Sequence, residues 1–173
     1  MLQDEFLSKF VSTEEFLEKK KRYFPNSRVV FTNGCFDILH PGHINYLCRA
    51  KSLGDILVIG LNSDYSVQQL KGDKRPINIE RDRAFVLSSL QCVDFIIVFH
   101  EETPLQTISA ILPDVLVKGG DWPREQIVGR EIVERKAEGK VYSLPLLEGY
   151  STSGLICRII SLENKADPEK EKS

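Results

Sequence analysis

The sequence predicts an α/β fold: a doubly wound, mostly parallel sheet of five strands with helices on both faces. Short β-branched runs recur along the chain, separated by segments with apolar residues at helical spacing. That alternation implies right-handed βαβ crossovers, which lay helices against both faces of a parallel sheet. A length of 173 residues suits one domain, able to bury roughly 70% of the surface its unfolded chain exposes.

The elements follow in order. Ser12 and Glu15 form a capping box that opens a helix over 12–23. "RVVFTN" is a first buried strand, stopped by Asn33-Gly34. "HINYLCRAKSLGD" carries Ile44, Leu47 and Cys48 at helical spacing, with Gly54 placed as a C-cap. "ILVIGL" is a second strand, "ERDRAFVLSSL" a helix and "VDFIIVF" a third strand. "TPLQTISAIL" reads as a helix capped by Thr103 with Pro104 in its first turn. "DVLVKGG" is the fourth strand, "GREIVERKAEG" a helix, "KVYSLPL" the fifth strand, and a last helix covers roughly 152–162. The expected layout is an N-terminal helical extension (1–27), one domain (28–162) and a disordered charged tail (163–173), since "ENKADPEKEKS" has too few apolar residues to pack.

Composition excludes several classes. A net charge of -2 argues against a nucleic-acid partner. No apolar run approaches the ~20 residues that span a membrane, and the acidic start is no signal peptide. Cys35, Cys48, Cys92 and Cys157 are scattered among apolar neighbours, as free thiols are in a reducing compartment. The expected location is therefore cytoplasmic. Only His40, His43 and Cys35 lie near enough for metal ligands, so no protein-bound metal is expected.

The chemistry concentrates at "FTNGCFDILHPGH", where His40 and His43 flank Pro41 and Gly42 just past the first strand. Pro41 suits a helix entry and Gly42 admits a ligand to the backbone. A helix N-terminus offers unpaired N–H groups to anions, and two imidazoles add donors for phosphate oxygens. An isolated histidine would more often be a cap or a core residue. Two spaced as H-x-G-H after a strand and Asn-Gly favour the functional reading.

These residues resemble the H-x-G-H nucleotidyltransferase superfamily, which includes cytidylyltransferases and is Rossmann-like. Together with "LKGDKRPI", "VDFIIVFHEETP", "PDVLVKGGDW" and "STS", the string from Arg28 to Ile160 is similar to the adenylyltransferases that make ADP-heptose from heptose 1-phosphate. In many bacteria that domain is fused behind a sugar kinase; here a separate kinase chain could supply the substrate. The resemblance implies transfer of AMP from ATP to a heptose 1-phosphate with release of pyrophosphate, for lipopolysaccharide core or another surface glycan. It also implies Mg2+ bound through the substrate phosphates. The alternatives are a cytidylyltransferase acting on glycerol 3-phosphate or a phospho-amino-alcohol, and a non-catalytic nucleotide-binding domain.

Residue by residue, the resemblance implies catalytic roles for His40, His43, Lys71 and Lys118. Nucleotide contacts fall to Asn33, Gly34, Cys35, Phe36, Gly42, Arg83, Ser151, Thr152 and Ser153. Cys35 stands where the wider superfamily has threonine, leaving its backbone N–H to serve. Arg83 could instead pair inside the fold, and one of the three hydroxyl residues can do no more than cap a helix. Substrate contacts fall to Asp37, Lys71, Arg75, Lys118, Gly119, Gly120, Asp121 and Trp122, the last an aromatic wall where the family has tyrosine. Asp37 either orients the turn or holds substrate or metal. Lys118 closes a buried strand, where an ammonium without a partner is costly. The exposed first helix could support a homodimer.

Overall fold

The computed structural model describes residues 8–166, apart from Asp121. Five parallel strands form one sheet in the order β3-β2-β1-β4-β5, with β1 at Val29–Gly34, β2 at Ile56–Asn62, β3 at Phe95–Phe99, β4 at Val115–Gly119 and β5 at Lys140–Leu144. The order grows outward from β1 to β3, then returns to the other side of β1 for β4. Val30 pairs with Val115 and Thr32 with Val117 across that reversal. In open α/β sheets the crevice beyond the strand ends at such a reversal is where ligands bind.

The helices are α1 (Thr13–Tyr23), α2 (Pro41–Lys51), α3 (Asp64–Lys71), α4 (Glu80–Ser88), α5 (Leu105–Ile111), α6 (Arg130–Glu134) and α7 (Thr152–Ala166), with one 3-10 turn at Arg124–Gln126. Strand residues alternate between two buried clusters, as a sheet covered on both faces requires. Val29, Phe31, Val58 and Ile97 join Phe16 of α1 and Ile108 of α5 on one face. Val30, Leu57, Ile59 and Val117 join Leu47 of α2 and Leu87 of α4 on the other.

Several expectations change. The capping box is present, with Ser12 and Glu15 exchanging both bonds. The helix it starts is no separate extension, because Phe16 is fully buried and edge-on to Phe95 at 5.2 Å. Burying a ring of that size contributes about 2–3 kcal/mol. The segment before it covers the β3 edge: Val11 N–H donates to the Ile96 carbonyl and Ile96 N–H to that of Lys9.

Helix α3 was not expected, although Ser63 caps it and Gly72 ends it at φ 86. Helix α2 ends at Lys51, short of Gly54, which lies against β1; a Cβ there would come within 2.7 Å of the Arg28 carbonyl oxygen. Thr103 does not cap α5, whose N-cap position is Pro104. Helix α7 takes in 163–166, assigned above to the tail, while 167–173 lie outside the described residues. Among the described residues no helix is long and apolar enough to cross a membrane.

Candidate active site

His40 is the N-cap of α2, and Pro41 occupies the first turn. The backbone N–H of His43 donates to His40 Nδ1 at 3.3 Å, and the two rings stack with centroids 3.8 Å apart. An Nδ1 that accepts carries no proton, so the neutral His40 ring keeps its N–H on Nε2, free to donate outward. Burial holds the His40 imidazole below its usual range. Burial, then the neighbouring His40 and Lys71, push His43 down to about 4. Both rings are therefore neutral near pH 7. His43 Nδ1 is buried without a hydrogen-bond partner, an orphan that a bound group would satisfy.

Gly42 is buried under Tyr150. A Cβ at Gly42 would stand 3.0 Å from the His40 ring and 3.1 Å from Tyr150 Cβ. Only glycine fits this turn without displacing one of them.

Past β1 the chain turns through Phe36 at φ 45, a left-handed conformation costly for a bulky residue. Two long-range anchors fix it. Arg83 donates from Nη1 to the Cys35 carbonyl at 2.6 Å, from Nε to the Asn78 carbonyl at 2.9 Å, and from Nη2 to Asp64 Oδ1 at 2.7 Å. Asp37 accepts from Arg75 Nε at 2.6 Å and from the backbone N–H groups of Ile77 and Asn78 at 2.8 and 2.9 Å.

These contacts bear on two residues for which the sequence left alternatives open. Arg83 is 2% exposed with every guanidinium nitrogen engaged, so it braces the loop and is not available to a nucleotide. Asp37 is 4% exposed and docks the 75–78 loop, the turn-orienting alternative of the two. Burial opposes its charge, but the Asn78 and Ile77 N–H groups and Arg75 together hold its carboxyl below the usual range. Arg75 is tied by its Nε to Asp37, while its Nη2 is buried without a partner.

Two adjoining cavities open at the β1/β4 reversal. The smaller, about 180 Å³, is lined by Phe36, His43, Tyr46, Gly119 and Thr152; the larger, about 540 Å³, by Asn62, Leu70, Glu102, Gln126 and Trp122. Asn33, Gly34, Cys35, Lys71 and Lys118 line both. Lys118 Nζ reaches Asn33 Oδ1 at 3.4 Å and sits 5.5 Å from the Trp122 ring centre. Burial pulls its ammonium below the ordinary lysine range. Lys71 ends α3, so the unexpected helix delivers this cation to the cleft.

The remaining site residues divide. Gly119 is wedged between Leu146 and Tyr46, and Gly120, at φ 105, turns the chain so that Trp122 can stand beside Lys118. Asp121 lies outside the described residues. Ser151 caps α7, its Oγ accepting from Gly154 N–H at 3.0 Å, and Thr152 bonds the Ile38 carbonyl at 3.5 Å at the cleft wall. Ser153 is exposed and lines neither cavity. Glu102 and Gln126 were not expected: Glu102 lies within "VDFIIVFHEETP", a string that carries the resemblance, but no role was assigned to it, and nothing near Gln126 marks a site. Tyr46 was also missed. Its hydroxyl, 2.5 Å from Thr32 Oγ1 and 3.3 Å from the Val117 carbonyl, links β1, α2 and β4, and burial raises its phenol above the ordinary range.

The smaller cleft thus joins two lysines, the His43 imidazole with His40 stacked on it, and a helix N-terminus, and its one carboxylate among the described residues, Asp37, is already paired. Such a site favours a polyanion. No serine, threonine or cysteine of the cleft is hydrogen-bonded to either imidazole among the described residues, so it lacks an activated protein nucleophile.

Fold and site together define a nucleotidyltransferase. Residues 31–158 match the cytidylyltransferase-like family model, and the chain belongs to that family. It is 52% identical over 151 residues to "Bifunctional protein HldE" of Helicobacter pylori strain Shi470, a match covering 87% of this chain and 31% of that protein. The protein of the same name from Citrifermentans bemidjiense is 53% identical over 134 residues, covering 78% of this chain and 27% of that protein. The chain thus spans about a third of the length of these curated relatives. Among solved structures, the lipopolysaccharide core biosynthesis protein of Thermoplasma volcanium GSS1 superposes with a TM-score of 0.55 at 30% identity, covering 73% of this chain and all of that one. A pantoate-beta-alanine ligase from Francisella tularensis shares the fold, with a TM-score of 0.57 at 13% identity over 95% of this chain and 79% of that one.

Proposed function

We propose that this chain transfers AMP from ATP to a heptose 1-phosphate, releasing pyrophosphate and supplying ADP-heptose for lipopolysaccharide core or another surface glycan. The observation that carries this reading is the pair of cavities with Lys71 and Lys118 in their common wall. A triphosphate beside His43 and a sugar phosphate in the neighbouring space would meet at those two cations. The HldE relatives and the lipopolysaccharide core protein support the choice of sugar.

The reaction needs no side-chain base. A sugar 1-phosphate has a second pKa of about 6 and is largely ionised at neutral pH. One of its oxygens attacks the α-phosphorus; the bond from that phosphorus to the bridging oxygen breaks, and the electron pair leaves with pyrophosphate. The chain's part is alignment and charge stabilisation. His40 Nε2–H, the α2 backbone N–H groups and Thr152 hold phosphate oxygens, and the lysines offset charge on the transferring group.

Magnesium, which the resemblance implies, finds no free carboxylate among the described residues of the smaller cleft, because Asp37 is bonded to Arg75, Ile77 and Asn78. That donor set fits an ion carried on the phosphates and water, where it would neutralise phosphate charge. A sugar kinase on a separate chain would supply such a sugar 1-phosphate.

The deciding experiment measures pyrophosphate release with ATP or CTP against heptose 1-phosphate or glycerol 3-phosphate. Turnover with ATP and heptose 1-phosphate alone is expected. Turnover with CTP and glycerol 3-phosphate would discard the substrate assignment and keep the family.

A further inference from the structure

We propose that Glu102 is a specificity-determining residue, reading the hydroxyl groups of the acceptor sugar in the larger cavity and rejecting acceptors with a second negative group there. This rests on the reading that the acceptor is a sugar 1-phosphate.

Glu102 follows β3 and lines the larger of the two cleft cavities, not the smaller; it also borders a neighbouring pocket with Leu70 and Glu101. Neither its carboxylate nor the Gln126 amide is held by a hydrogen bond or ion pair among the described residues, whereas Glu101 beside it bonds the His100 N–H. These two groups are thus open to a ligand. The rest of the wall suits a sugar. Trp122, 47% exposed, offers an indole face, with Leu70, Pro104 and Val128 around it. Sugar rings present C–H faces to such surfaces and hydroxyls to carboxylates and amides. The volume of about 540 Å³ lies within the roughly 300–1,000 Å³ of small-molecule sites.

Charge sets the orientation. Both lysines lie in the wall shared with the smaller cavity, so the acceptor's phosphate is drawn there and its polyol tail extends toward Glu102. An ionised carboxylate accepts strong, charge-assisted bonds from hydroxyl donors. The same carboxylate repels a phosphate on the tail, so specificity includes a repulsive element.

Glu102 is exposed, so Glu102→Gln and Glu102→Ala should fold as the parent does, with unchanged thermal midpoints. Calorimetric binding of heptose 1-phosphate is measured beside steady-state kinetics, with a heptose carrying phosphates at both ends of its carbon chain as competitor. The expected result for Glu102→Gln is a ten-fold or greater rise in both Kd and KM for heptose 1-phosphate, with KM for ATP within two-fold. Discrimination against the bisphosphate should shrink at least ten-fold. Unchanged sugar affinity in both variants, or a parallel rise in KM for ATP, overturns the role of Glu102 and leaves the AMP-transfer reading standing. Binding of heptose 1-phosphate that depends on Glu102, without any pyrophosphate release by the parent, overturns AMP transfer and sustains the inference. No binding of sugar 1-phosphate by the parent protein overturns the acceptor chamber outright.

Discussion

The rings of His40 and His43 lie 19° from parallel, with the His43 backbone N–H bonded to His40 Nδ1. One imidazole therefore closes the α2 N-terminus through Nδ1 and keeps an N–H on Nε2, the group proposed above as a phosphate donor. The two can be separated. His40→Asn keeps a good cap, and His40→Ala loses it at about 1 kcal/mol. Urea titration should place His40→Asn near the parent and His40→Ala below it. Pyrophosphate release should fall at least a hundred-fold in both, and also in His43→Ala. A fully active His40→Asn would show that the ring is only a cap.

The second prediction concerns pH. The His43 pKa is about 4 in the folded chain, against 6.5 for a free imidazole. The unfolded state thus binds the proton more tightly. Stability should be whole above pH 6.5, decline as pH falls through that value, and level off near pH 4. The loss from this group is at most about 3 kcal/mol. Thermal midpoints measured from pH 7.5 to 4.5 should show the slope in the parent and a flatter profile in His43→Asn. Equal slopes would place the titration elsewhere.

Arg83 joins Asp64, Asn78 and Cys35, of which only Cys35 lines the cleft. Arg83→Lys keeps the charge and loses the fork geometry, leaving buried carbonyls short of donors. It should cost about 2–4 kcal/mol in chemical unfolding. At a temperature where the variant is folded, KM for ATP should match the parent. A selective rise in that KM would return Arg83 to nucleotide binding.

Asp37 docks the 75–78 segment, and Asp37→Asn leaves the Arg75 guanidinium without its counter-charge in a largely buried place. The cost should be about 3 kcal/mol, and limited proteolysis should cut within 72–79 first. Cleavage at parent rates would mean that the backbone contacts alone hold the loop.

What could be read from the chain was what is local. The buried strands announced themselves as β-branched runs, and the histidine turn lies within four consecutive residues. Helix α3 was harder: Val67 is its only fully buried large apolar residue, so its apolar period is faint, and only Ser63 and Gly72 mark its ends. The roles of Arg83 and Asp37 were illegible for another reason. Their partners lie up to 48 and 41 residues away, and an arginine bound for phosphate looks the same in sequence as one bound for a carbonyl. Glu102 joins the cavity only because β3 ends beside β2 at the sheet's carboxyl edge.

The pairing of β1 with β4 reaches into the history of each molecule. Lys118 and Asn33 are separated by 85 residues, as are Val29 and the Asp114 carboxylate that receives its N–H. A loop of that length closes at an entropic cost that local contacts cannot offset early. A chain emerging from synthesis can form the histidine turn, α2 and the β1–β2 pair long before β4 exists. Such a nascent molecule has its histidine turn and half of a cleft, with no Lys118 opposite. If Lys118 acts as proposed, activity regained during refolding should follow the docking of β4.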